Sequence, residues 1–204
     1  MRYEMNDKHE QLKKSLFDGR LIHLAAINYE QDAQIESRWT LDGEYLQLLG
    51  TDLVRPLSPA QVKQIYVEIE KEMDEKGNQY YFTIRRPEKV AENPDQLLGF
   101  IRLTRIEWSH GTALLSLGIG DPEERKKGYG SEALSLMLRF AFNELNLFRI
   151  SAYIPAYNQA AQRLFGKQGF NEEVRQREVF LQAGIRWDGL NMGLLREEWE
   201  QVAW

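Results

Sequence analysis

The segment Arg125-Lys-Lys-Gly128-Tyr-Gly130-Ser131 constrains this chain more than any other. It follows an apolar run, Ala113 to Ile119, that reads as a buried strand, and it precedes Glu132 to Leu145, whose apolar residues recur at helical spacing. A strand that passes through a tight glycine turn into a helix start makes a place for phosphates. The first helical N–H groups have no intrahelical partner, and the helix dipole puts partial positive charge at that end. Gly128 and Gly130 let the backbone close on an anion because neither carries a Cβ. Arg125, Lys126 and Lys127 add full charge, in a chain whose net charge is −5. Taken alone the pattern also fits a surface turn with solvated charges.

A chain of 204 residues, 43% of them hydrophobic, is long enough to bury a substantial core as one domain. No linker or repeat divides it, so residues 20–204 are expected to form a single domain, preceded by a polar arm or short helix over 1–19. The acidic balance argues against direct nucleic-acid binding, which wants a basic field. Met1 to Leu16 mixes acids and bases and does not read as a signal peptide, and no apolar run approaches the roughly 20 residues that span a bilayer. A cytoplasmic location, with no membrane partner, is the expectation. The chain has no cysteine, which excludes disulfides and a cysteinyl acyl-enzyme. His9, His23 and His110 lack metal-ligand spacing, so no metal is assigned.

Leu21–Ile27 reads as a first strand and Asp32–Leu41 as a helix with Ile35 and Trp39 on one face; residues 42–57 read as irregular. Ser58-Pro59 opens a helix with Val62, Ile65, Ile69 and Met73 on one stripe, closed near Gly77. Tyr80–Ile84, Leu97–Trp108 and Thr112–Ile119 read as strands, Glu132–Leu145 as a helix, and Arg149–Tyr153 as the next strand. Asn158 is placed to cap a helix that Gly169-Phe170 stops. Glu173–Leu181 and Ile185–Leu194 form a closing hairpin around Gln182-Ala-Gly184, with Asp188-Gly189 a competing turn. The order is mixed α/β (α+β): a central sheet with helices packed on it.

About thirty residues after the loop the chain reads Asn158-Gln-Ala-Ala161-Gln-Arg-Leu164-Phe165-Gly-Lys167-Gln-Gly169-Phe170. In this order and spacing the two segments resemble the GNAT superfamily of acyl-CoA-dependent N-acetyltransferases. Gly118-Ile-Gly-Asp-Pro122 and the tail Leu194-Leu-Arg-Glu-Glu-Trp199 resemble its RimJ/RimL-type branch more narrowly. The resemblance covers roughly residues 20 to 200 and implies the GNAT fold, a mixed and mostly antiparallel sheet split between strands 113–119 and 149–153. It implies acetyl-CoA as co-substrate, with pantetheine on the backbone of Gly118, Ile119 and Gly120. The pyrophosphate would meet Arg125, Lys126, Lys127, Gly128, Tyr129, Gly130 and Ser131. Asn158 would bond the pantetheine while capping its helix, a cap sufficient by itself to explain the residue. Phe165 would line the thiol end.

Two departures stand out. The last-helix tyrosine that protonates the leaving thiolate in many GNAT enzymes is Phe165 here, and the glutamate that serves many RimJ/RimL relatives as base is Leu114; Ser116 stands where glycine is common. A thiolate of ordinary pKa leaves without much help. Ser151, Tyr153 and Tyr157 are the remaining proton-donor candidates near the cleft, and each is also an ordinary packed or hydrogen-bonded strand residue. The expected partner is an amine acceptor, a peptide N-terminus or a small molecule; a homodimer is possible. Absence of a base favours an α-amine, whose lower pKa leaves more of it neutral. Asp42, Glu44 and Asp52 would attract a cationic amine or simply be solvated loop acids. An acyl-CoA binder with little turnover is the alternative; a nucleotide-phosphate binder is disfavoured by the missing Gly-Lys-Ser/Thr loop.

Overall fold

The computed structural model describes residues 16–50, 54–87 and 95–202. The capping residues explain where the helices begin. Asn28 accepts from Gln31 N–H and opens α1 (Tyr29–Trp39), three residues earlier than the apolar pattern indicates. Asp42 accepts from Glu44 N–H and opens α2 (Gly43–Leu48), inside the stretch read as irregular. That helix exists because the cap is followed by Tyr45 and Leu46, which are both buried. Ser58 and Gln61 form a reciprocal capping box at the start of α3 (Pro59–Lys76), and Gly77 closes it in the left-handed region at φ 57°. Its buried stripe is Val62 and Tyr66, continued by Ile69 and Met73. Ile65 lies outside it and is 42% exposed, because Tyr66, one turn on from Val62, takes the inward position.

Among the described residues seven strands form one sheet in the order β1-β2-β3-β4-β5-β7-β6. They are β1 (His23–Ala25), β2 (Tyr80–Arg85), β3 (Leu97–Glu107), β4 (Thr112–Ile119), β5 (Arg149–Pro155), β6 (Asn171–Gln182) and β7 (Ile185–Leu195). Only β4 and β5 run parallel; the other neighbours are antiparallel. The sheet is therefore mixed, mostly antiparallel and flanked by helices, as the resemblance implies. Strand β1 is shorter than the run 21–27. The β6–β7 turn falls at Ala183-Gly184, both at positive φ, and Asp188-Gly189 lies inside β7.

The two faces bury different cores. Ile101, Leu103, Leu115, Ile150 and Ala152 pack on one face with α4 (Tyr129–Arg139) and the π-helical segment Phe140–Glu144 that continues it. Tyr81 and Phe100 pack on the other with Trp39, Tyr45, Val62 and Tyr66 of α1, α2 and α3. Strand alternation puts Leu114, Ser116 and Gly118 of β4 on this second, aromatic face. The chain returns through α5 (Gln159–Lys167) to the closing hairpin and ends in α6 (Arg196–Val202).

One buried ion pair ties α1 to the sheet. The Arg85 Nη2 atom donates to both Asp32 carboxylate oxygens at 2.8 and 2.7 Å, its Nε donates to Thr83, and the pair is almost sealed from solvent. Removing one partner strands a buried charge. Arg85→Met is expected to destabilise the fold by about 3–5 kcal/mol in urea unfolding, and Asp32→Leu with Arg85→Met to cost less than Arg85→Met alone.

Candidate active site

β4 and β5 pair only over Thr112–Leu114 and Arg149–Ser151. Beyond that β4 continues to Ile119 and β5 to Pro155 without pairing, so the sheet parts in its centre. The chain leaves β4 at this opening, passes a single 3₁₀ turn at Pro122–Glu124, and enters α4 through Lys126 at φ 64° and Gly128 at φ 93°. Gly128 is the N-cap, so α4 begins at Tyr129, one turn before Glu132, and no side chain caps it. The N–H groups of Tyr129, Gly130 and Ser131 fall in its first turn. Ser131 is thus inside the helix; its Oγ accepts from Gln168 at 3.4 Å. Glu132 accepts three backbone N–H groups, from Arg20, Leu21 and Ile22, and fastens that loop over the helix start.

The charged residues of the loop are committed unequally. Arg125 turns back on the protein. It donates to the Ile119 and Gly120 carbonyls and pairs with Asp42 at 3.2 Å and Glu44 at 3.3 Å. Asp42 and Glu44 are accordingly bound to a cation of the chain, and Asp52 lies outside the described residues. Lys127 pairs with Glu124, which also holds Arg86 at 2.6 Å. Burial pushes the Glu124 carboxyl up, but the bonds from Arg86 and Lys127 outweigh it and hold it below the usual range. The Arg86 guanidinium lies over the Tyr129 ring, 5.5 Å from its centroid. Among the described residues Lys126 is left exposed with no ion-pair partner.

The glycines at the end of β4 answer first to the protein. A Cβ at Gly118 would press on Leu49 and Phe100, and one at Gly120 would overlap the Trp39 indole. A Cβ at Gly130 would instead point between Leu117 and Ile119 of β4 and Leu164 of α5, at ordinary contact distances. Gly130 therefore packs where the end of β4 faces α5.

Helix α2 lies across the opening. Leu49 reaches Gly118 on one side, and Gly50 lies against Pro155 and Phe180 on the other. Asn158 caps α5 through Ala161 N–H, and its amide nitrogen donates to the Leu48 carbonyl at 2.9 Å. The Tyr157 hydroxyl donates to the Gln47 carbonyl at 2.7 Å. Tyr153, 40% exposed, donates to Gln176 and stacks near Phe180. Burial raises both phenols, so both keep their protons at neutral pH. Ser151 is at the last paired rung, opposite Leu114. Phe165 belongs to the core of the first face. Its ring is 4% exposed in the core and meets Phe170 edge-on at 4.9 Å.

Sequence reasoning missed the aromatic face beside Ser116 and Gly118. Arg102 donates to the Ser116 hydroxyl at 2.9 Å and lies over Phe100. Tyr66 donates to the Glu36 carboxylate. Trp39 and Tyr45 meet edge-on at 5.9 Å, and the Tyr45 hydroxyl is buried with no hydrogen-bond partner among the described residues. The one signal was Asp32 and Glu36 at i, i+4 on a helix that also carries Trp39. No group of three or more His, Asp or Glu among the described residues is placed to hold a metal ion, and no helix among them is long and apolar enough to cross a membrane.

Known proteins share this arrangement. A family model described as an acetyltransferase (GNAT) domain matches residues 22–171. The SPbeta prophage-derived uncharacterized N-acetyltransferase YokL of Bacillus subtilis (strain 168) is 29% identical over 182 residues, covering 89% of this chain and 94% of that protein. The spermidine N(1)-acetyltransferase of Escherichia coli (strain K12) is 24% identical over 110 residues, 54% of this chain and 59% of that one. Among solved structures, spermidine N-acetyltransferase from Vibrio cholerae in complex with CoA and spermine superposes with a TM-score of 0.74 at 20% identity, covering 89% of this chain and 99% of that one. A putative ribosomal-protein-serine acetyltransferase from Vibrio cholerae superposes with a TM-score of 0.69 at 23% identity, covering 88% and 96%. At these identities the likeness to the solved structures is one of fold.

The fastening of α2 is testable by itself. Arg125→Ala removes two ion pairs that anchor Asp42 and Glu44. Amide exchange over residues 43–49 should accelerate about tenfold or more, the equivalent of a hydrogen bond's worth of local stability, with core strands unchanged. Unchanged exchange would mean that Tyr157 and Asn158 hold the helix unaided.

Proposed function

The chain belongs to the acetyltransferase (GNAT) family, and from that premise we propose that it moves an acetyl group from acetyl-CoA to a primary amine by direct attack. The observation that carries this reading is the parting of β4 from β5 beside a helix start that no side chain caps. The opening offers unpaired strand backbone to the amides of a pantetheine arm, and the helix start offers N–H groups to a pyrophosphate. Coenzyme A supplies a thioester whose carbonyl is open to attack by an amine.

The chain's residues divide the work. Backbone N–H groups from Lys126 to Ser131, with the free charge of Lys126, face the pyrophosphate. Arg125 orders the loop from behind, through the Ile119 and Gly120 carbonyls, rather than touching phosphate. Gly130 keeps the passage between β4 and α5 clear, while Gly118, Ile119 and Gly120 present main chain to the pantetheine. Asn158 reaches that arm if it exchanges its bond to Leu48. Phe165 acts through packing and has no proton to give. Ser151 in β5 at the inner end of the opening and Tyr157 just past the end of β5 remain the near hydroxyls for the leaving thiolate, and Tyr153, turned toward Gln176, is the weakest of the three.

For the acceptor we adopt a cytoplasmic amine, either a polyamine or a peptide N-terminus. Relatives named for spermidine and for a ribosomal protein support both, and the RimJ/RimL-like branch fits them. A binder of acyl-CoA without turnover is the competing reading, favoured by Phe165 and Leu114. Thiol release from acetyl-CoA in the presence of spermidine and of a peptide with a free N-terminal serine decides between them. Calorimetry locates the site. Gly130→Val should fold, because a Cβ there meets only side-chain atoms at ordinary contact distance, yet lose acetyl-CoA affinity by tenfold or more. Wild-type affinity in folded Gly130→Val would place the cofactor elsewhere.

A further inference from the structure

The aromatic face beside β4 holds a set of polar groups that fold stability does not explain. Tyr45 is 3% exposed, its ring edge lies 3.5 Å from where a Cβ of Gly118 would be, and its hydroxyl has no hydrogen-bond partner among the described residues. A buried hydroxyl left unpaired is destabilising, so a phenylalanine would serve the core better. Glu36 sits nearby, half-buried on α1, and accepts from Tyr66 of α3. The charged and titratable groups around it are Asp32 of α1, Tyr45 of α2, Tyr66 of α3, Tyr81 of β2 and Arg102 of β3. Arg102 in turn holds Ser116 of β4. Trp39, Tyr45, Tyr81 and Phe100 form one buried aromatic cluster on this face, and aromatic rings are a setting that suits a cationic amine.

We propose that Glu36 accepts the proton of the acceptor amine, which sits between the Glu36 carboxylate and the Tyr45 hydroxyl beside Ser116–Gly118. The inference rests on the acetyltransfer reading above. The arriving ammonium gives one proton to Glu36, and its freed lone pair forms the N–C bond at the thioester carbonyl. The C–S bond breaks, the sulfur leaves with the electron pair, and the second proton lost by nitrogen ends on that sulfur. The products are amide and free thiol, and Glu36 returns its proton to solvent. Burial pushes the Glu36 carboxyl above the usual range, the charge of Asp32 adds to this, and Tyr66 and Arg102 oppose it. A carboxylate moved toward the pKa of an amine is the better base. Glu36 thus fills the role left open by Leu114, and with a base in the protein an α-amine has no advantage over an amine of higher pKa.

The sign of the pH dependence follows. Glu36 works only when ionised, so kcat/KM falls on the acid side, with a midpoint above the ordinary carboxylate range. The experiment measures thiol release with acetyl-CoA and either spermidine or the serine peptide, from about pH 5.5 to 9.5. In Glu36→Gln the plateau above the Glu36 midpoint should be lost. Its kcat/KM should be about a hundredfold lower near neutrality and rise tenfold per pH unit toward the amine's own pKa. Tyr45→Phe should keep or raise the Tm, keep acetyl-CoA affinity by calorimetry, and lose roughly tenfold or more in kcat/KM. Independently of turnover, the Glu36 carboxyl carbon in 13C spectra should shift when spermidine is added to protein loaded with CoA. If Glu36→Gln fails to fold, Glu36→Asp replaces it, with the acid limb kept and kcat lowered. Wild-type kcat/KM in Tyr45→Phe, or a wild-type pH profile in Glu36→Gln, overturns this proposal alone. Absence of thiol release by the wild type with every amine overturns the acetyltransfer reading and this inference with it.

Discussion

Everything distinctive in this molecule follows from two neighbouring strands that pair for three residues and then separate. A sheet satisfies its backbone through its ladders, and a gap in the middle leaves donors and acceptors that need other partners. Here the gap opens on the C-terminal part of β4, where the chain must also turn into α4. Unpaired strand backbone and an uncapped helix start are therefore adjacent because of the topology, whichever side chains are present. In our reading a single extended ligand with amides at one end and phosphates at the other uses both.

The protein closes over this gap with α2, a helix too short to be stable alone. Its first residues hold Arg125, and the carbonyls near its end take donors from Tyr157 and Asn158. The residues that fasten α2 are thus neighbours of the proposed cofactor path on both flanks. The same helix carries Tyr45, whose hydroxyl is turned into the aromatic face. Fastening α2 and presenting Tyr45 are one structural act.

The fold was largely legible because it is written in local signals. Ser58-Pro59, Asn158, Gly169-Phe170 and the apolar strand before Arg125 each have a local physical meaning, and each marks an observed boundary. Helix α2 was not legible, since six residues give no period and only Asp42 announces them. Ile65 was assigned to the stripe on spacing alone, but Tyr66 fits the neighbouring α1 better. The loop of the candidate site was visible as a motif, whereas the use of its charges was not. That Arg125 faces Asp42 and Glu44 depends on a contact more than eighty residues away along the chain. Glu36 and Tyr45 were invisible for the same reason, because their meaning comes from Ser116, Arg102 and Gly118 on other elements.

The most direct test of the whole account is a titration of isotope-labelled protein with coenzyme A, following backbone amide resonances. The account predicts that signals of residues 116–120 and 126–131 shift together and saturate at one ligand, with Asn158 and the α2 residues 43–49 responding as the strap adjusts. Shifts confined to the exposed edge strand β6, or no saturable shift at 126–131, would contradict the assignment of the opening between β4 and β5 as the cofactor site.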